Sequence, residues 1–235
     1  EGAFKVGEAT VEIGAHYLSS VLGLRAHLDD EHIRKFGFRF FFSDGAHDVD
    51  RCTELGVSTL LPTPSWQIDR GRFENHLTER VRAVGATLLD GAVVRGIDMG
   101  EDGAAHRVRF EVDGDTREIS ARWLVDASGR AGLLKRKLGL ADTNDHNANS
   151  VWWRVSGHID PNQWSSDPQW LSRCTPPDRW RSTNHMCGEG YWFWLIPLSS
   201  NQHSLGIVCD GDIHPLDGMN THEKAMTWLR KHQPC

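Results

Sequence analysis

Two tryptophans, Trp192 and Trp194, stand two residues apart in the apolar run 190–197, which a proline ends. In a β-strand their side chains project from one face, and the apolar residues between them project from the other. Both faces are therefore apolar, which predicts a strand that is covered on both sides. A core strand would satisfy this pattern. A flat aromatic ligand would also suit it, because each indole carries an N–H that needs a partner when buried.

Lys35 is the second candidate for chemistry, because it opens the aromatic stretch 35–42. The alternation there predicts a strand with four phenylalanines on one face: Phe36, Phe38, Phe40 and Phe42. A lysine in apolar surroundings can have its pKa lowered by several units, which favours a nucleophilic role. The alternative is a lysine at a strand start that keeps its charged head in water.

Three further strings contain residues that could face a cofactor. Gly7 has no Cβ, so its backbone could approach a ring closely. Residues 126–129 close a predicted strand with small side chains, over which a flavin edge could lie. Arg70 or Arg72 could reach a phosphate or fix a helix onto a sheet. Taken singly, each is equally well a turn glycine, a strand end or a surface arginine.

The combination of strings resembles a known class of flavoproteins. Lys-Val-Gly-Glu-Ala-Thr (5–10), Asp-Arg-Gly-Arg-Phe (69–73) and Val-Asp-Ala-Ser-Gly (125–129) occur in one order. They resemble the FAD-binding domain of the hydroxybenzoate-hydroxylase-like class. The string Trp-x-Trp-x-Ile-Pro (192–197) narrows the resemblance to the flavin-dependent halogenases, which include the tryptophan halogenases. The match runs from Phe4 to about Val208 and corresponds to the middle of such an enzyme.

The resemblance implies roles for particular residues. The cofactor-binding residues would be Val6, Gly7, Glu8, Ala9, Thr10, Arg70, Asp126, Ala127 and Gly129. The side chains facing substrate or flavin would be Phe36, Phe38, Trp192, Trp194, Ile196 and Pro197. Lys35, four residues before Arg39-Phe40, matches the spacing of the lysine that captures hypohalous acid in tryptophan halogenases. There it donates a hydrogen bond to the oxidant or becomes a haloamine. The glutamate that accompanies this lysine comes later in those enzymes and has no counterpart assigned here.

The resemblance also implies cofactors and partners. A flavin reductase would supply reduced FAD, and chloride or bromide would be the second substrate. The organic substrate would be a small electron-rich arene, an indole, pyrrole or phenol, either free or carrier-bound. Two alternatives stay open. One is an FAD-dependent aromatic hydroxylase or a related flavin oxidoreductase, from which halide dependence would distinguish a halogenase. The other is a non-catalytic module that binds aromatic ligands.

The elements that must position these residues are predicted from periodicity and turn signals. Helices are expected at 11–24, 69–84, 132–138 and 221–230. Thr10 would cap the first of these helices and Asp69 the second. The second would bury Leu77, Val81 and Val84. Strands are expected at 35–42, 58–61, 151–159, 191–197 and 202–209, with a meander at 87–99, 106–112 and 117–126. A turn at 43–45 and a long loop at 160–184 separate them. The predicted fold is α/β, an FAD-binding domain interleaved with an antiparallel substrate-binding sheet.

The domain organisation follows from this interleaving. Residues 1–30 and 66–150 are assigned to the nucleotide side, and 31–65 and 151–235 to the substrate side. No Gly-x-Gly-x-x-Gly string occurs in the 235 residues, so no helix N-terminus of that kind is offered to a pyrophosphate. We therefore expect an internal fragment of a flavoprotein, incomplete at both ends, that binds FAD weakly or not at all by itself.

Composition limits the partners. A net charge of -6 with 25% charged residues gives no reason to expect nucleic acid or a membrane surface. No apolar run is long enough for a membrane span, and the first residues lack a signal-peptide pattern. The five cysteines are scattered, which predicts reduced thiols in a cytoplasmic protein. The thirteen histidines have no spacing typical of a metal site, so no metal is expected.

Overall fold

The computed structural model describes residues 4–43 and 48–233. Two compact units divide the chain: residues 1–77 with 147–235 form the first, and residues 78–146 form the second. The strands are β1 (Gly7–Ala9), β2 (Ile33–Arg34), β3 (Phe38–Phe42), β4 (Thr53–Gly56), β5 (Trp66–Asp69), β6 (Val93–Asp98), β7 (His106–Val112), β8 (Asp115–Ala121), β9 (Ala148–Ser156), β10 (Thr183–Gly188), β11 (Tyr191–Leu198) and β12 (Gln202–Asp210). The α-helices are α1 (Glu12–His16), α2 (Arg25–Glu31), α3 (Arg70–Ala83), α4 (Leu133–Lys137), α5 (Pro168–Ser172) and α6 (His222–His232).

A six-stranded sheet dominates the first unit, in the order β4-β3-β10-β11-β12-β9. Its pairings are antiparallel except between β3 and β10. One face carries the main core, which α5 and α6 cover with Trp170 and Trp228. The sheet contributes alternating side chains to that core: Phe41, Met186, Phe193, Leu195, Leu205 and Ile207. The opposite face is described with the candidate site.

A small antiparallel sheet, β1-β5-β2, belongs to the same unit. Its core contains Trp66 and Ile68 of β5 together with Leu28 of α2 and Phe73 of α3. Gln67 of β5 joins this sheet to the large one, because its side chain bonds the hydroxyl of Thr183 on β10. The second unit, described by itself, contains the antiparallel meander β6-β7-β8 and the short helix α4. The predicted meander and short helix are therefore confirmed, with shorter strands.

The predicted helix 11–24 is only partly confirmed. α1 ends at His16, and a π-helical turn continues through Tyr17–Val21. Thr10 does not cap the helix, because its hydroxyl bonds the backbone of Trp66 instead. The side chain of Ile13 is 81% exposed, so the apolar spacing does not mark a buried stripe here.

The single strand predicted for 35–42 is wrong at its beginning. Gly37 has a φ of +80°, a conformation that interrupts extended backbone, and β3 begins only at Phe38. Phe36 therefore does not lie in the row formed by Phe38, Phe40 and Phe42. Its side chain is fully buried. In the predicted turn at 43–45, Asp44 and Gly45 lie outside the described residues.

Other element boundaries also differ from the predictions. The strand expected at 58–61 lies earlier, as β4. The helix with Asp69 at its start is confirmed as α3, and the Asp69 carboxylate accepts the N–H of Gly71. Its predicted buried stripe is wrong, because Val81 and Val84 are exposed. The predicted loop 160–184 runs into strand β10, which was not predicted because the residues there are polar. The strands at 151–159, 191–197 and 202–209 and the helix at 221–230 are confirmed with small shifts.

Candidate active site

The face of the large sheet opposite the main core is lined by aromatic side chains, and we call it the aromatic face. It consists of Phe38, Phe40, Phe42, Trp152, His185, Trp192 and Trp194. The register aligns one row across five strands: Phe40, His185, Trp194, Gly206 and Trp152. Trp192 is 41% exposed, so the prediction that both faces of its strand are covered is wrong. An exposed apolar surface of this kind is typical of a site that binds another molecule.

Gly206 allows Trp194 to lie flat across the neighbouring strand. A Cβ at Gly206 would stand 2.2 Å from the indole carbon Cζ2, which is closer than atoms approach. The indole Nε1 lies 3.4 Å from the Ser204 hydroxyl, which gives the ring a polar partner. The indole is thus held against the sheet, with its plane set by a glycine and a serine of β12.

Lys35 lies between β2 and β3, where the chain passes from the small sheet to the large one. Its side chain is 2% exposed. The Nζ atom donates to the carbonyl of Thr10 at 3.0 Å and stands 3.3 Å from the ring centroid of Phe38. The ammonium therefore contacts the aromatic face directly. The alternative of a lysine with its head in water is wrong.

Burial sets the protonation of this pair of basic groups. Desolvation lowers the pKa of Lys35 to about 8, and the carboxylate of Glu12 partly opposes this. Desolvation also lowers the pKa of His185, and the charge of Lys35 adds to that effect. The His185 ring stacks on Phe40 with centroids 4.9 Å apart. At neutral pH the structure thus places an ammonium, not an imidazolium, at this face.

The residues predicted to bind cofactor near the N-terminus lie on or beside β1. Gly7 is required by protein packing, because a Cβ there would stand 2.6 Å from Leu198 and 2.7 Å from Ser204. Thr10 contributes its carbonyl to Lys35. Glu8 forms an ion pair with Arg70, whose guanidinium also binds Glu74. In this structure Arg70 is therefore engaged by carboxylates.

An ion pair with both side chains 3% exposed links β5 to the large sheet. Arg154 of β9 binds Asp69 at 3.0 Å and donates to the carbonyl of Lys5. Ser200 donates a further hydrogen bond to Asp69. Hydrogen bonds from Arg154 and Ser200 hold the pKa of Asp69 below its usual value, against desolvation, the largest influence. This pair fixes the strand that precedes α3 against the sheet carrying the aromatic face.

The string 126–129 belongs to the second unit and is described by itself. The Asp126 carboxylate accepts the backbone N–H groups of Ser128 and Leu134, so it organises the turn before α4. A hydrogen bond from the Ser128 side chain, followed by these backbone N–H groups, lowers the pKa of Asp126. Ala127 and Gly129 are exposed, and nothing lies within 4 Å of a Cβ position at Gly129. The backbone here is open to a flat group.

The residues present fit the flavin ring system of FAD better than they fit its phosphates. In the first unit, the exposed aromatic face is a surface on which a planar ring can lie. In the second unit, taken by itself, the backbone at Gly129 is open. The ammonium of Lys35 contacts the aromatic face. For the phosphates, the predicted candidate Arg70 already binds two carboxylates.

The predicted site residues are partly brought together. Lys35, Thr10 and Phe38 are in direct contact, and Trp192 and Trp194 share the aromatic face. Ile196 is buried, and Pro197 points to the opposite side because strand residues alternate. Phe36 lies apart for the reason given above. Sequence reasoning missed His185 and Gly206. His185 follows a long polar loop and Gly206 lies in a predicted strand, and neither position indicates which residue it meets on the neighbouring strand.

The described residues contain no group of three or more His, Cys, Asp or Glu side chains arranged to hold a metal ion. Cys174, Cys187 and Cys209 are free thiols. No helix within the described part of the chain is long and apolar enough to cross a lipid bilayer.

Sequence comparison identifies relatives along most of the chain. The family model described as tryptophan halogenase matches residues 53–234. A flavin-dependent halogenase, chlA, of Dictyostelium discoideum is 28% identical and covers 98% of this chain and 41% of its own. The 1H-pyrrole-2-carbonyl-[peptidyl-carrier protein] brominase of Pseudoalteromonas luteoviolacea is 27% identical over 74% of this chain and 39% of its own. The chain thus spans about two fifths of the length of these curated relatives.

Solved structures confirm the fold class. A mutant of the halogenase PltM in complex with FAD superposes with a TM-score of 0.80 at 18% identity, over 100% of this chain and 49% of that chain. The flavin-dependent halogenase CmlS superposes with a TM-score of 0.71 at 19% identity, over 100% of this chain and 40% of that chain. The predicted α/β architecture with an antiparallel sheet is therefore confirmed.

Proposed function

Because this chain belongs to the tryptophan halogenase family, we propose that the complete protein is an FAD-dependent halogenase in which Lys35 is catalytic. The observation that carries the proposal is the contact between the buried Lys35 ammonium and the aromatic face. The substrate is a small electron-rich arene, which binds with its ring near the same face. Resemblance to halogenases whose names specify a pyrrole on a carrier protein supports an aromatic substrate, free or carrier-bound.

FAD, when bound and reduced, would react with molecular oxygen, and the oxidising equivalent so formed would convert chloride or bromide into hypohalous acid. The residues proposed to bind the cofactor are Val6, Gly7, Glu8, Ala9, Thr10 and Arg70 in the first unit, and Asp126, Ala127 and Gly129 in the second. The flavin reductase that the resemblance implies would deliver the reduced form. Free thiols at Cys174, Cys187 and Cys209 suit a reducing compartment, and we place the protein in the cytoplasm.

Lys35 would hold hypohalous acid where the arene can reach it. Its ammonium donates a hydrogen bond to the oxygen of the acid, which makes the halogen more electrophilic. The Thr10 carbonyl and the Phe38 ring orient Nζ. The arene carbon then bonds to the halogen and loses its proton, and the oxygen leaves as water.

The test is a halogenation assay of the protein at its natural ends. FAD, a flavin reductase, NADH, oxygen and bromide are supplied with a panel of indoles, pyrroles and phenols, and products are identified by mass spectrometry. We expect a brominated product that falls by at least about 100-fold in Lys35→Ala, because an oriented donor is lost. Flavin oxidation should continue at the wild-type rate.

Lys231→Ala, which removes an exposed lysine of α6, is the matched control and should retain bromination. A product heavier by one oxygen and indifferent to halide would replace this proposal with a hydroxylase. Bromination that persists in Lys35→Ala would remove Lys35 from the mechanism.

A further inference from the structure

The amine of Lys35 is enclosed in this structure, although it is the group proposed to hold hypohalous acid. Lys35 is 2% exposed. Its Nζ atom contacts the Thr10 carbonyl at 3.0 Å and the ring of Phe38, whose centroid is 3.3 Å away. Hypohalous acid must contact Nζ to accept its hydrogen bond, so at least one part of this enclosure has to move before the acid can bind.

The Thr10 side of the enclosure is fixed by hydrogen bonds to β5. The N–H of Thr10 donates to the carbonyl of Trp66 at 2.9 Å. The Thr10 hydroxyl donates to that carbonyl as well, and it accepts the N–H of Trp66. Lys35 is held to the same segment, because its backbone N–H donates to the Ser65 carbonyl at 2.8 Å. Moving the Thr10 carbonyl would therefore break the pairing that continues from β1 along β5.

The Phe38 side of the enclosure is a partly exposed side chain at the end of a strand. Phe38 is the first residue of β3 and is 37% exposed. It follows Gly37, whose φ is +80° and which lies outside the strand. An exposed side chain changes its rotamer far more readily than a backbone carbonyl leaves a sheet. The Phe38 ring is therefore the part of the enclosure that can move while the two sheets stay intact.

We propose that Phe38 is a gate over Lys35: small molecules, hypohalous acid among them, reach the amine when the Phe38 ring turns away from Nζ. The inference rests on the proposed function, in which Lys35 holds hypohalous acid, and it names the residue that controls access to that lysine. With the ring turned away, the amine opens toward the aromatic face, where the arene is proposed to bind.

The closed state is favoured because the ammonium gains a cation–π interaction with the ring that covers it. Opening gives up this contact, so the open state is the minor one. Minor conformations of proteins are commonly populated at about 0.1–10%. The reactivity of a gated amine equals that of the open amine multiplied by this fraction. Removing the ring should therefore raise the reactivity of Lys35 by about 10- to 1,000-fold.

The direct test is the rate at which an N-hydroxysuccinimide ester of acetic acid acetylates Lys35 in the protein at its natural ends. Peptide mass spectrometry separates Lys35 from the other lysines, and the exposed Lys231 is the internal reference. Only a neutral amine reacts, so the rates are followed across alkaline pH and expressed per neutral amine. This treatment separates a change in access from a change in the pKa of Lys35. We expect an increase of about 10- to 1,000-fold in Phe38→Ala and a smaller increase in Phe38→Leu.

Phe42→Ala is the matched control. Phe42 lies on the same strand and the same face as Phe38, and it is 42% exposed. This variant should leave the acetylation rate of Lys35 unchanged. If both Phe38 variants fold, as judged by circular dichroism, and acetylate Lys35 at the wild-type rate, the inference is overturned, because the amine is then reached by another route.

A second arm measures bromination in the same variants, each with and without Lys35→Ala. Faster acetylation of Lys35 in Phe38→Ala, in an enzyme whose bromination does not require Lys35, would support the gate and contradict the proposed function. Bromination that requires Lys35, with acetylation indifferent to Phe38, would contradict the gate and support the proposed function. The failure of one proposal is thus distinguished from the failure of the other.

Discussion

At the scale of single residues, burial decides what the ionisable groups of this protein can do. Lys35 and His185 lie at one face, and burial lowers the pKa of both. Because the reference values differ, the lysine is charged at pH 7 and the imidazole is neutral. The sequence indicated a lysine in apolar surroundings. The direction of its head, toward Thr10 and Phe38, comes from two segments that lie far apart in the chain.

His32 provides a test of burial that is separate from the proposed activity. Burial, followed by the charge of His27, lowers the pKa of His32 to about 4, and its Nδ1 accepts the backbone N–H of Asp69. In the unfolded chain the pKa is near 6.5. Below that pH the unfolded state binds the additional proton, so stability conferred by neutral His32 should be lost as pH falls from about 6.5 toward 4.

We expect His32→Asn, which retains an acceptor near the position of Nδ1, to flatten this acid loss of stability. The measurement is the free energy of unfolding in urea between pH 4.5 and 7.5. His146→Asn, at an exposed histidine, is the control and should follow the wild-type curve. If His32→Asn shows the full wild-type acid dependence, another group causes it.

At the scale of elements, a buried ion network joins the edge of the large sheet to the segment 160–182. Glu54 of β4 binds Arg39 of β3 and Arg179, and all three side chains are at most 4% exposed. Arg179 also donates to the carbonyl of Trp170 in α5. Arg39, which the resemblance pairs with Lys35, therefore serves this network on the core side of the sheet. Alternation along β3 separates it from the aromatic face.

Glu54→Gln should cost about 3–5 kcal/mol, because it leaves two buried guanidiniums without their counter-charge. Chemical denaturation monitored by tryptophan fluorescence measures the loss. The matched control is Glu111→Gln, which breaks the exposed pair with Arg95 and should cost at most about 1 kcal/mol. Equal costs for the two variants would show that the network contributes no more than a surface pair.

At the scale of the whole molecule, the division of roles between nucleotide side and substrate side remains a prediction. The compact units of the structure separate residues 78–146 from the rest. The candidate cofactor residues fall in both units: those of β1 in the first, and 126–129 in the second. The chain contains no glycine-rich dinucleotide loop, and Arg70 is engaged by Glu8 and Glu74.

We therefore expect residues 1–235 alone to bind FAD at least about 100-fold more weakly than the protein at its natural ends, because the pyrophosphate lacks helix N–H donors. Quenching of flavin fluorescence and calorimetry measure the two dissociation constants. Free riboflavin, which has no phosphates, is the matched ligand control. Its dissociation constants for the two proteins should differ less than those of FAD. Equal FAD affinities would show that the 235 residues hold the phosphates by other groups.

The features that the sequence determined by itself follow from local patterns of residues. The Trp-x-Trp strand, its hairpin partner, the meander and the helices after Asp69 and Thr221 follow from periodicity and capping within a few residues. The order of short strings was enough to indicate the family and its fold. Lys35 as the candidate came from spacing, and its proposed role is still to be tested.

Tertiary structure decided what depends on partners distant in sequence. Gly37 interrupts the predicted strand and turns Phe36 away from Phe38, which alternation alone could not foresee. The exposed aromatic face, the indole of Trp194 over Gly206 and the approach of Thr10 to Lys35 arise from strand register and from packing between two sheets. Register and packing are long-range, because each joins segments whose separation in the chain carries no local signal.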